Sequence, residues 1–112
     1  MHLSKIQAMK AEFEDSRGWN KFPASLVFTH LVEELGEISR HITFDEGYKV
    51  SGLGHEEPKR AHLKREFAQV FSLFIQLANH YEINLEECVL EELEIMKERF
   101  SKDDWTEYMN SR

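Results

Sequence analysis

The sequence predicts an all-α fold: a four-to-five-helix bundle in one domain spanning residues 1–112, assembled as an oligomer. Three observations carry this. Apolar residues recur at the 3.6-residue spacing of helices and do not alternate as strands do. Only 5 Gly and 2 Pro interrupt 112 residues, too few for a fold built from many turns. The length suits one domain, and 41% apolar with 31% charged residues is the balance of a globular chain.

The elements follow in order. Residues 4–16 are expected to form a first helix, with Ser4 and Gln7 as a capping box, Ile6, Met9 and Phe13 as its inward stripe, and Gly18 as its stop. Trp19 to Phe22 connects it to a second helix that Pro23 opens and that runs to about residue 43. Residues 44–57, with Gly47, Gly52 and Gly54, form the one long loop. Pro58 is expected to open a third helix reaching about residue 81. Asn84 with Glu87 caps a fourth that ends near Phe100, and Ser101 to Asp104 start a short terminal helix. The run Val70 to Ala78 is apolar nearly all round, and 112 residues offer little interior for it. A homo-oligomer, with the dimer as its smallest closed form, is therefore expected.

Charge and cysteine content exclude several classes. With 14 Lys+Arg against 21 Asp+Glu, the net charge is -7, which disfavours DNA and RNA as partners. The one cysteine, Cys88, permits neither an internal disulfide nor a cysteine-based zinc site, and is expected to be a small core side chain. Residues 1–5 lack the apolar stretch of a leader, and no apolar run approaches a membrane span of roughly 20 residues. A cytoplasmic chain with no membrane partner is the resulting expectation.

Chemistry concentrates on two helices. On the second, His30, Glu33, Glu34, Glu37 and His41 occupy an arc of about 100° beside the apolar arc of Val27, Phe28, Leu31, Leu35, Ile38 and Ile42. Glu34/Glu37 and Glu33/Glu37 are like-charge neighbours that destabilise a helix by a few tenths of a kcal/mol per pair. A hard divalent cation would offset this; a simply solvated charged face is the alternative. On the third helix, His62, Glu66, Gln69, Leu73, Gln76 and His80 share one stripe. Were Glu66 to face Glu34 and Glu37 across the bundle, three carboxylates would converge and a metal would relieve their repulsion. His30 with Glu34, and His62 with Glu66, are i, i+4 pairs suited to mutual pairing.

At these residues the chain resembles a known family. Arg17 to Pro23, Leu31 to Ile38 with its EExxE pattern, Glu66 to Val70, Ala78 to Val89 and a helix ending Arg99-Phe100 stand in the order and spacing of the MazG-like all-α nucleoside triphosphate pyrophosphohydrolases. The likeness spans roughly residues 15–100. It implies a helical bundle, working as a dimer or tetramer, that hydrolyses a nucleoside triphosphate to the monophosphate and pyrophosphate with Mg²⁺, or Mn²⁺, as a house-cleaning enzyme. Carried over by position, Glu34, Glu37, Glu66 and Gln69 are the metal ligands and Glu33 is the candidate to orient or deprotonate water. Trp19 and Phe22 are candidates to stack on the base, although aromatics beside a helix start also serve as core. Near Glu66, Arg60, Lys64 and Arg65 are candidates to meet a phosphate or simply to balance the acids. The departures are Gln69, where the family has Asp, and Glu92 and Met96, where it often has a basic residue and an Asn or Asp. They raise an alternative: a catalytically inactive relative serving as a nucleotide-binding or oligomeric interaction module.

Overall fold

Helices account for all the regular structure. The computed structural model describes every residue from Met1 to Arg112 and contains no strand. The order is α1 (Leu3–Ser16), a 3-10 turn (Trp19–Lys21), α2 (Ala24–Asp45), a 3-10 turn (Arg60–His62), α3 (Leu63–His80), α4 (Leu85–Arg99) and α5 (Lys102–Asn110). The five helices agree with the periodicity. No helix is long and apolar enough to cross a membrane.

Local chemistry sets most boundaries. Gly18 sits at φ +72°, a left-handed conformation that swings the chain from α1 into the Trp19 turn. Pro23 precedes the first residue of α2. Pro58, expected to open α3, does not: the chain stays irregular, forms the Arg60–His62 turn, and enters the helix at Leu63. α3 ends in a Schellman motif. Glu82 takes the left-handed position at φ 54°, the Ile83 N–H donates to the Ala78 carbonyl at 2.9 Å, and the Glu82 N–H donates to Asn79 at 3.1 Å. The Asn84 side chain then caps α4 by accepting from the Glu87 N–H, and Ser101 caps α5 through Asp104.

The capping box read at Ser4 and Gln7 is corrected. The N-cap of α1 is His2, with no side-chain bond. Gln7 is buried and bridges to another element: its Nε2 donates to the Ile83 carbonyl at 2.6 Å, and its Oε1 accepts from the Leu85 N–H at 2.9 Å. It therefore satisfies an orphan donor at the start of α4 and ties that helix to α1. The buried seam of α1 is polar, with Gln7 and Glu14 innermost, while Ile6, Met9 and Phe13 face outward. That reverses the expected stripe.

α2 lies along α3, and α1 packs on α3 and the start of α4. The interior is small. Ile75, Ala78 and Leu85 form its core with Leu3 against them, and Val27 and Leu31 are the buried apolar residues of α2. Phe28, Leu35 and Ile42, expected inside, are about half exposed. Cys88, expected in the core, is exposed.

The single chain is open. Its accessible surface is 9089 Å², where a compact chain of 13.3 kDa would expose about 6,400 Å². Its radius of gyration is 18.5 Å, against about 13 Å for a compact domain of this length. The excess has a location: every residue from Glu87 to Arg112 is exposed, so α4 beyond its first turn and all of α5 form a projecting arm.

Candidate functional site

α1, the Trp19 turn, α2 and α3 enclose a cleft of about 720 Å³. That lies within the range typical of small-ligand sites, about 300–1,000 Å³. α2 contributes Glu33 and Glu34 from successive positions on one side, and α3 contributes Arg65 and Gln69, one turn apart. Trp19 and Phe22 form one wall, held by aromatic contacts: Phe13 meets Trp19 edge-on at 5.4 Å, and Trp19 lies 6.4 Å from Phe22. Six of the eight residues singled out in the sequence thus line one cavity.

The other two do not line it. Glu37 pairs with Arg40 one turn along α2, at 2.9 Å and half exposed. Glu66 turns toward His41, whose Nε2 lies 3.0 Å from the Glu66 Oε2. His41 is only 3% exposed, and neither of these two atoms has an aligned hydrogen-bond partner. Glu34 stays near its own helix, 3.5 Å from His30, so that i, i+4 pair forms while His62 leaves Glu66 to His41.

The expected convergence of Glu34, Glu37 and Glu66 therefore does not occur within one chain. No group of three His, Cys, Asp or Glu side chains is placed to hold a metal ion. The physical reason is competition: Arg40 and His41 each lie within reach of one of the carboxylates and take it. As they stand in the single chain, these donors do not fit Mg²⁺, which demands near-octahedral oxygen coordination.

Sequence reasoning missed Lys10. It lines the cleft, its side chain is only 16% exposed, and its Nζ sits 3.3 Å from the buried Glu14 carboxylate and 5.5 Å from the Trp19 ring centre. Its i, i+4 relation to Glu14 is visible in the sequence, but so are many such pairs. What marks it is the burial of both partners, which only the fold reveals. A cation held between a carboxylate and an aromatic wall is pre-positioned for an anionic ligand, because its rotamer freedom is already restricted.

The cleft can offer an aromatic surface, two cations (Lys10 and Arg65), two carboxylates and amides from Gln69 and Gln76. That set suits a planar, polar ligand carrying negative charge. Comparison of the chain with family models, with curated proteins and with solved structures returns no match.

Proposed function

We propose that the chain is a MazG-like helical protein whose α1–α2–α3 cleft binds a nucleoside phosphate, and that the single-chain geometry favours binding over turnover. One observation carries the reading. Six residues singled out in the sequence, Trp19, Phe22, Glu33, Glu34, Arg65 and Gln69, share one ligand-sized cleft, while Glu37 and Glu66 are engaged elsewhere. Trp19 and Phe22 supply the stacking wall for a base. Lys10 and Arg65 supply charge-assisted donors for phosphate oxygens. Glu33 and Glu34 accept hydrogen bonds from ring nitrogens or sugar hydroxyls.

A second reading keeps the hydrolase. It is favoured by Glu33 and Glu34 opening on the same cleft as Gln69, which is the acidic setting a metal-dependent pyrophosphohydrolase needs. We also infer that the working unit is a homo-oligomer, because the single chain leaves so much apolar surface open.

The test is calorimetric titration of the purified protein with dUTP, dCTP and ITP, with and without Mg²⁺ or Mn²⁺, with pyrophosphate release measured in parallel. Saturable binding without release, lost in Trp19→Ala and in Lys10→Met, is the expected result. Release at a rate dependent on metal would establish the hydrolase instead. Absence of binding to every nucleotide, with and without metal, would overturn both.

A further inference from the structure

We propose that α4–α5 is an exchanged arm. In a two-fold dimer, the arm of each chain docks on the exposed apolar face of α2 and α3 of a second copy. The proposal rests on the homo-oligomer reading and adds the surfaces that make it.

The exposed area is of dimer size. The chain exposes about 2,600 Å² more than a compact protein of its mass, so a dimer that recovered this would bury about 5,000 Å² in total. That is the scale of obligate homodimers and several times what a crystal-type contact needs. The two surfaces carry matching apolar stripes. On the arm, Val89, Leu93, Met96 and Phe100 follow one another at spacings of 4, 3 and 4, and Phe100, Trp105 and Tyr108 continue as an edge-to-face aromatic ladder with centroids 6.2 and 5.6 Å apart. All are between 41% and 52% exposed. On the facing surface, Phe67, Phe71 and Phe74 repeat at 4 and 3 along α3, as do Phe28, Val32 and Leu35 along α2, again near half exposed. Stripes of this spacing are what helices use to interlock.

Charge complements the apolar stripes. From Leu85 to Arg112 the chain carries nine acidic side chains against four basic ones. The segment leading into α3 carries Lys59, Arg60, Lys64 and Arg65 with no acid among residues 58–65, and of these Arg60 pairs with Asp45 of its own chain. An acidic arm is attracted to the start of α3 on a second copy. The same acidity repels anionic lipid and nucleic acid, so a second copy suits this surface better than a membrane does. With one arm and one receiving face per chain, reciprocal exchange closes at two copies, the smallest closed form.

The test is the mass of the full chain by size-exclusion chromatography with light scattering at micromolar concentration. The wild type is expected at twice 13.3 kDa. Leu93→Glu on the arm and Phe71→Glu on the receiving face should each halve that mass. Mixing the two variants should restore a dimer, because the Phe71→Glu chain keeps an intact arm and the Leu93→Glu chain keeps an intact face. Circular dichroism checks that each variant retains its helices. Should either fail to fold, Trp105→Glu and Phe67→Glu make the same test. A monomeric wild type would overturn both the arm and the oligomer reading. A wild-type oligomer that persists in one of the two variants, or variants that stay monomeric when mixed, would overturn the arm exchange alone.

Discussion

Gln7→Ala tests how the arm is rooted. The Gln7 side chain makes two bonds from α1, to the Ile83 carbonyl at 2.6 Å and from the Leu85 N–H at 2.9 Å. Alanine removes both. The Leu85 amide is in a buried residue, so stranding it costs the desolvation of a donor, about 1–3 kcal/mol. The Ile83 carbonyl belongs to an exposed residue and can turn to water, so its loss is closer to the net value of one hydrogen bond, about 1 kcal/mol. The sum is about 2–4 kcal/mol, a large part of the 5–15 kcal/mol typical of a domain.

Urea denaturation followed by circular dichroism would read this as a lower midpoint at unchanged slope. In a thermal melt it corresponds to a fall of about 10 °C, taken at one fixed protein concentration because an oligomer's melting point depends on it. Hydrogen exchange supplies the local readout: the Leu85 amide should exchange faster in the variant while the Ile75 amide in mid-α3 changes less. If Gln7 only closed a capping box at the head of α1, its loss would cost about 0.5–1 kcal/mol and leave Leu85 untouched. A destabilisation below 1 kcal/mol with Leu85 protection intact would refute the bridge.

Glu37→Gln should leave stability within about 0.5 kcal/mol of the wild type, since the exposed Arg40 pair contributes little; a melting shift with Mg²⁺ that this variant abolishes would place Glu37 at a metal site after all. Glu66→Leu should cost about 1–3 kcal/mol by removing the carboxylate that lies 3.0 Å from the buried His41 Nε2. The double variant with His41→Leu should recover much of that loss, and a double variant as unstable as the sum of its singles would show that the pair is not coupled. Glu82→Gly should be neutral or stabilise by up to about 1 kcal/mol in urea, because a left-handed residue with a Cβ is strained at the end of α3; a clear loss would mean that the Glu82 side chain makes contacts outweighing the strain.

Helix type was legible because periodicity is local, and so were the caps at Asn84 and Ser101, whose partners lie three residues on. Gln7 was misread for the complementary reason: the pattern S-x-x-Q is local, but the bonds that Gln7 makes lie more than 70 residues away. Ile6, Met9 and Phe13 show a second limit. Periodicity marks an apolar face without telling whether its cover comes from the same chain, and on α1 the polar seam won the interior because Gln7, Lys10 and Glu14 each found a partner there. Trp19, Phe22, Glu33, Glu34 and Gln69 of the cleft lie in the segments that carry the resemblance, and Arg65 stands just before one of them. Lys10 lies before residue 15, where that likeness begins, and only the packing of α1 brings it to the cavity.

The same distinction bears on the departures from the family pattern. Gln69 lines the cleft, so an uncharged amide stands there where the resemblance would place an Asp. Glu92 and Met96 belong to the exposed arm and line no part of the cleft in their own chain. Set only against the resemblance, Met96 stands where a ligand is expected. As the third member of the stripe Val89, Leu93, Met96 and Phe100, it is an apolar side chain at a docking position, and thioethers fill irregular gaps between helices well. Glu92, one residue before Leu93, then adds to the acidity that the basic start of α3 on a second copy attracts. Under arm exchange, the α4 side chains that the resemblance would assign to phosphate contacts serve assembly instead, which supports the proposed binding role of the cleft over turnover.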